Sequence, residues 1–451
     1  MRAPDILVVL SDQQRPDSCG VYGQRLPVTP NLDAMARDGV VFDNAFTVQP
    51  LCGPARASLQ TGRYPTRLDC WRNGLALPVG IDTLATRLGA LGYRTSYVGK
   101  WHLASDRGKL PPGRLPARLA TKPVSPARRG GYADGWIAAD ALERTSGPFG
   151  GHVFNAQGRQ IDFTGYRVDA ITNLAINELR VTDARPRLLF VSFLEPHHQN
   201  SLGRVVGPKG WAARFRDFDV PGDLAGRAGD WPWNYAEYLA ACASLDANLG
   251  RLLTAIDAHN TLVVYASDHG NHFRTRNLDY KRTCHDASIR VPLVLRGPGF
   301  DSGTRNDALV TLLDLVPTLV IAAGGEDPQL DGRPLQHATD AREHVFVQIS
   351  ESQVGRAIRT RTHTYSVRAP GHDPRLGKQQ SRSDVYVDDK LYDNVADPWQ
   401  RTNLAKDPAF ADLRRELAAS LLADLERVED HSPRLVHRPT AGQPRVTATG
   451  G

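Results

Sequence analysis

The sequence predicts an α/β domain on a largely parallel sheet, followed by a smaller α+β subdomain with an antiparallel sheet. Three observations carry this. Continuous apolar runs at residues 6–10 (ILVVL), 187–193 (RLLFVSF) and 261–266 (TLVVYA) read as strands buried on both faces. Segments of helical period separate them, the alternation expected of parallel strands joined by crossovers. After about residue 330 the pattern changes to short strand-like runs and one terminal helix.

The elements follow in order. Residues 6–10 form the first strand, with Ser11, Asp12, Gln13 and Gln14 at its C-terminal end. Residues 31–39 (NLDAMARDG) form a helix capped by Asn31 and stopped by Gly39. Residues 84–91 form another helix, ended by Gly92, and residues 93–98 a strand leading into Gly99, Lys100, Trp101 and His102. Residues 187–193 lead into Glu195, Pro196, His197 and His198. A long amphipathic helix spans 235–258. Residues 261–266 lead into Ser267, Asp268, His269 and Gly270, and residues 291–295 (VPLVL) add a strand. In such sheets ligands bind beyond the carboxyl ends of the strands, where Asp12, Lys100, His197 and Asp268 fall. Strand-like runs at 344–349, 356–367 and 384–387 and a helix at 409–428 make up the C-terminal part. The expected division is a domain over 1–330 and a subdomain over 331–451. Within an insert at about 104–135, residues 107–131 carry seven Lys or Arg, five Pro and no acid. They suit either a solvated loop or a basic lip over an anionic substrate.

The chain has 451 residues, 41% hydrophobic and 23% charged, enough to bury a core and unlike a disordered protein. No apolar run approaches the roughly 20 residues that span a bilayer, so no membrane is expected. The net charge is +6, and only eight of the 55 basic residues are Lys. This Arg excess fits compositional bias or an anionic substrate, since guanidinium holds sulfate, phosphate or carboxylate with two parallel bonds. The basic residues are dispersed, so no nucleic acid is expected. Cys19, Cys52, Cys70, Cys242 and Cys284 are odd in number and lack zinc spacing, against a disulfide framework. The N-terminus lacks a leader pattern, which predicts a cytoplasmic protein, or a periplasmic or secreted one if a leader was trimmed.

The most specific segment is residues 51–63, LCGPARASLQTGR. Its Cys-x-Pro-x-Arg, here Cys52, Pro54 and Arg56, with Thr61-Gly62-Arg63 beyond, resembles the signature of the formylglycine-dependent (type I) sulfatases. The resemblance extends over Thr29-Pro30-Asn31-Leu32, Gly99-Lys100-Trp101-His102, Ser267-Asp268-His269-Gly270, Lys281-Arg282-Thr283, Ile289-Arg290-Val291-Pro292 and Leu391-Tyr392-Asp393. It implies the alkaline phosphatase-like fold, oxidation of Cys52 to formylglycine by a formylglycine-generating enzyme, and one divalent cation. Ca2+ is expected, with Mn2+ or Mg2+ as alternatives. The implied metal ligands are Asp12, Gln13, Asp268 and His269 with residue 52. Arg56 would hold the nucleophile and the metal carboxylates, Lys100 and Lys281 would bind sulfate, and His102 would assist the hydrated aldehyde. His197, preferred to the adjacent His198, would protonate the leaving group.

The chemistry suits these residue types. A sulfate ester repels anionic nucleophiles, and a thiol is too soft to attack sulfur. A hydrated aldehyde offers one hydroxyl for attack and a second whose deprotonation expels sulfate, which a serine cannot provide. A cation lowers the nucleophile's pKa, lysines neutralise the transferring oxygens, and an imidazole protonates the departing alkoxide.

Two positions depart from a frequent sulfatase pattern: Gln13 stands where many members carry a second Asp, and His269 where Asn is frequent. The amide brings no charge and the imidazole adds a nitrogen donor, both shifting the site from pure Ca2+ preference. The combination also occurs in choline sulfatase-like and phosphonate monoester hydrolase-like relatives. The leading expectation is therefore a sulfuric ester hydrolase acting on a sulfated saccharide. The alternatives are phosphonate monoester or phosphodiester hydrolysis, choline- or aryl-sulfatase-like activity, and a non-catalytic sulfoglycan-binding protein with unmodified Cys52. His272, Arg274, Arg276, Asn277 and His285 are candidate substrate contacts, and Trp71, Trp136, Trp231 and Trp233 either stack on sugars or fill the core.

Overall fold

The computed structural model describes residues 3–105, 121–338, 342–371 and 375–437. Residues 106–120 of the basic insert lie outside them.

One sheet contains β1 (Asp5–Asp12), β2 (Val40–Phe46), β3 (Arg94–Lys100), β4 (Gly135–Ala139), β5 (Ser146–Gly147), β6 (Gly150–Asn155), β7 (Gln160–Thr164), β8 (Arg187–Pro196), β9 (Thr261–Ser267), β10 (Leu293–Arg296) and β11 (Thr304–Thr311). Their order is β11-β2-β10-β9-β1-β8-β3-β4-β6-β5, with β7 on β6. The central five, β9-β1-β8-β3-β4, are all parallel. β10 runs antiparallel to both its neighbours, so the sheet is mixed but mostly parallel.

The unbroken apolar runs have a direct cause. Ile6, Val8 and Leu10 of β1 enter one core, and Leu7 and Val9 enter another on the opposite face. Leu188 and Phe190 of β8 divide from Leu189 and Val191 in the same way. Each such side chain stabilises the fold by roughly 1.5–3 kcal/mol on burial. The helices Pro30–Asp38, Arg167–Leu179 and Trp231–Leu253 supply Leu32, Ile171 and Leu249 to one face. The helices Cys52–Thr61, Leu84–Ala90 and Leu315–Ala322 supply Leu59, Leu88 and Leu319 to the other.

Several boundaries differ from expectation. The first helix begins at Pro30 with Thr29 at the cap position, because proline's fixed φ suits the first turn. Asn31 instead donates from N–H and Nδ2 to Asp246 Oδ2, at 3.0 and 2.8 Å. The long helix starts at Trp231, with Pro232 in its first turn, and ends at Leu253. The strand expected at 291–295 starts at Leu293, since Pro292 has no N–H for a ladder.

A second sheet follows in order β12 (His344–Ile349), β13 (Gly355–Thr360), β14 (His363–Arg368), β15 (Val385–Asp393) and β16 (Arg434–Val436). It is antiparallel except for β16, which runs parallel to β15. The run expected at 356–367 is a hairpin, β13 and β14. The helix Ala411–Glu429 packs Leu417, Leu421 and Leu425 against Ile358, Tyr365 and Val367. No described helix is long and apolar enough to cross a membrane.

Candidate active site

The neighbouring strands β9, β1, β8 and β3 end at one edge and deliver Asp268 and His269, Asp12 and Gln13, His197, and Lys100 and His102. At Gly99 the chain has φ +111°, and a Cβ there would lie 2.0 Å from the Ser192 carbonyl oxygen. Only glycine permits this approach of β3 to β8 beside Lys100. Cys52 arrives from outside the sheet as the first residue of its helix, 2% exposed.

Asp12, Cys52, Asp268 and His269 each place a ligand atom within 4.8 Å of the others, and all four are buried. Cys52 Sγ lies 2.9 Å from Lys281 Nζ, 3.3 Å from His269 Nε2 and 3.7 Å from Asp12 Oδ1. Lys281 Nζ also donates to Gln13 Oε1 at 3.1 Å. Lys100 Nζ pairs with Asp12 Oδ2 at 2.8 Å. Arg56 bridges Asp12 Oδ2 at 3.1 Å and Asp268 Oδ2 at 3.2 Å, and donates to Ser192 Oγ at 2.6 Å and the Lys100 carbonyl at 3.0 Å. The Gln13 N–H donates to Asp268 Oδ1 at 3.1 Å.

Burial alone would push the Cys52 thiol up, but Lys100, Lys281 and His269 outweigh it and hold it well below the ordinary thiol range. Asp12 is likewise held down by Lys100, His197 and Arg56 against its burial and the Cys52 charge. Asp268 goes the other way: burial and the facing Asp12 carboxylate push it up. Two buried carboxylates, an imidazole and residue 52 converging on one point suit a divalent cation, whose charge relieves the Asp12–Asp268 repulsion. Gln13 is buried and joined to this group through Asp268 and Lys281, and its Nε2 has no hydrogen-bond partner among the described residues.

His102 has φ +64° and helps to hold the Cys52 thiol down. His197 Nδ1 lies 2.6 Å from the His198 carbonyl oxygen. The His198 ring is stacked between His197, at 4.2 Å, and Tyr280, at 4.0 Å. Burial, His197 and Lys281 push His198 far below the usual imidazole range, so it is neutral and engaged.

Of the candidate substrate contacts, His272, Arg274 and Asn277 gather at the Tyr280–Lys281 segment, whereas Arg276 and His285 bond to residues of the C-terminal part. His272 is buried, with Nε2 3.2 Å from the Lys281 carbonyl oxygen, and burial first, then Arg276, lowers it to about 3. His285 is buried against the Tyr392 hydroxyl at 3.0 Å. Asn277 donates to the Lys281 carbonyl, and Arg276 to the carbonyls of Trp399 and Gln400. Arg274 lies over the Tyr280 ring. Trp136 is core, stacked on Tyr97, whereas Trp233 is 67% exposed.

Sequence reasoning passed over three residues of the site. Ser192 holds Arg56 from within β8. Asn73 Oδ1 accepts the Gly53 N–H at 2.9 Å, fixing the turn beside Cys52. Glu143 Oε2 lies 3.6 Å from Lys100 Nζ. Reading residues 135–139 as a strand would have placed Glu143 beyond a carboxyl end.

Residues 4–325 match the family model described as Sulfatase. An ulvan-active sulfatase of Formosa agariphila is 31% identical over 95% of this chain and 82% of its own length. A solved structure in complex with its substrate, D-glucosamine-2-N,6-O-disulfate, superposes with a TM-score of 0.75 at 22% identity, covering 96% of this chain and 99% of that one. The phosphonate monoester hydrolase of Agrobacterium radiobacter superposes with a TM-score of 0.69 at 23% identity, covering 93% and 95%.

Proposed function

The chain belongs to the sulfatase family, and from that premise we propose that it removes sulfate from a sulfated carbohydrate, with residue 52 as formylglycine and Ca2+ as the cation. The observation that carries this is Cys52 Sγ, 2.9 Å from Lys281 and within 4.8 Å of the Asp12, Asp268 and His269 donor atoms. The saccharide is supported by the ulvan-active relative and the glucosamine disulfate bound by a structural neighbour.

Asp12, Gln13, Asp268 and His269 would hold the cation. Together the cation and the formylglycine supply a Lewis acid and a hydroxyl nucleophile. Lys100 and Lys281 bring point charges to the non-bridging oxygens of the ester. Arg56, committed to Asp12, Asp268, Ser192 and the Lys100 carbonyl, orients the carboxylates. His102 would take a proton at residue 52. His197 commits Nδ1–H to the His198 carbonyl, leaving Nε2 as the atom that protonates the leaving oxygen.

The test is sulfate release by the mature, metal-loaded enzyme from a panel of defined sulfated saccharides, with Cys52→Ala as control. Release from at least one saccharide, lost in the variant, is the expected result; turnover that survives in the variant overturns the nucleophile. Gln13 and His269 favour a second reading, phosphonate monoester or phosphodiester hydrolysis at the same site. Faster turnover of phosphonate than sulfate esters with a shared leaving group would establish it. Mass spectrometry of the peptide containing residue 52 separates both from a binding protein that retains its thiol.

A further inference from the structure

We propose that Glu143 sets the charge class of ester this site accepts, favouring singly charged over doubly charged esters. The inference rests on the sulfatase reading of the same pocket. β4 runs parallel to β3 with Ala139 in register with Lys100, so the short helix Leu142–Thr145 that follows carries Glu143 against the Lys100 ammonium. The Glu143 side chain is 10% exposed, 3.6 Å from Lys100 Nζ. Its buried Oε2 has no hydrogen-bond partner among the described residues. The ammonium is thus flanked by Glu143 on one side and Asp12, at 2.8 Å, on the other.

Burial would push the Glu143 carboxyl up, but Lys100, His102 and His197 outweigh it and bring it to about 2. A full negative charge therefore persists beside the Lys100 ammonium and within the field of His102 and His197. No step of the proposed reaction uses it, and it lies outside the four-residue donor group. Its effect is on the charge balance. Arg56, Lys100 and Lys281 are offset by Asp12, Asp268 and Glu143, so a bound divalent cation leaves the pocket two charges positive. Without Glu143 the excess would be three. A doubly charged ligand feels Glu143 twice as strongly as a singly charged one. Sulfate monoesters and phosphonate monoesters carry one charge, whereas phosphate monoesters carry nearly two above their second pKa of about 6. Glu143 therefore disfavours phosphate monoesters while leaving both singly charged classes admissible. It acts through the local field and through Lys100, as a selectivity residue rather than a catalytic one.

The experiment reads binding to metal-loaded Cys52→Ala protein, in which turnover is blocked. Phenyl sulfate, phenyl methylphosphonate and phenyl phosphate are titrated at about pH 8, where only the phosphate is doubly charged. The titrations are repeated with Glu143→Gln and Glu143→Asp added. Glu143→Gln is expected to shift preference toward phenyl phosphate, relative to both singly charged probes, by about tenfold. Glu143→Asp, which keeps the charge, restores most of the discrimination. An equal change for all three probes, or none, overturns the proposal. So does weakening of all three in both variants, because Glu143 would then only orient Lys100. Since binding is read without turnover, failure to release sulfate from any saccharide would count against the activity alone.

Discussion

In the second sheet Arg356 sets Nε and Nη2 against the two oxygens of Glu429 at 2.6 and 2.7 Å, both side chains almost fully buried. At the carboxyl edge of the first sheet the same chemistry is arranged differently. Asp12 takes both Arg56 and Lys100, Asp268 faces Asp12, and Lys281 turns to Cys52, Gln13 and His269. No ion pair between Lys281 and a carboxylate occurs among the described residues. The first arrangement is complete in itself, and its removal should show in stability. The second leaves like charges close and a lysine without a carboxylate, which costs stability until a dication and an anion arrive.

The largest break expected in this contrast is Cys52→Ala. Sulfate release should fall by about 10⁴-fold or more, with the thermal melt nearly unchanged. Asp268→Asn should lower turnover by about 10³-fold and weaken metal binding, measured by titration of the chelated protein. The same variant should melt higher than wild type when metal-free. The Asp268 pKa lies above its unfolded value, so its ionised form destabilises the metal-free fold, and neutral Asn removes that strain. In the matched pair the sign reverses: Glu429→Gln leaves Arg356 buried without its carboxylate and should cost about 3–5 kcal/mol in denaturant unfolding. The turnover of its folded fraction should stay at the wild-type level. The smallest effect expected is at Asp286, which Arg359 of β13 contacts at 2.8 and 2.9 Å. Burial raises its pKa, but Arg359 outweighs this and holds it down. The carboxylate therefore stabilises the fold above the unfolded value near 3.9, and this contribution is lost as pH falls through the folded pKa. Asp286→Asn should flatten the acid limb of stability by about 1 kcal/mol, read from denaturant midpoints across that range.

Much of this was legible in the chain. β1, β8 and β9 are buried on both faces, and two-sided burial writes itself as unbroken apolar sequence. Because chemistry in such sheets gathers at carboxyl ends, Asp12, Lys100, His197 and Asp268 could be placed together from strand ends alone. The sulfatase resemblance carried Cys52 and Arg56, whose helix belongs to no strand end. β4 was not legible, since GWIAA is short and lies beyond a proline-rich stretch, and Glu143 was missed with it. Nor could the fates of His272 and His285 be read, because their burial depends on packing against the Lys281 segment and on Tyr392, far away in sequence.

The Gly53 N–H beside Cys52 is held by Asn73, whose own N–H donates to Glu351 Oε1 at 2.8 Å. Arg282, next to Lys281, reaches the other oxygen of Glu351 at 2.7 Å. Glu351 lies two residues beyond the end of β12, so the C-terminal portion reaches to within a few atoms of residue 52. The two halves are therefore poor candidates for modular exchange: a chimaera with a foreign tail must reproduce this acidic latch, or inherit a residue 52 that is no longer aimed.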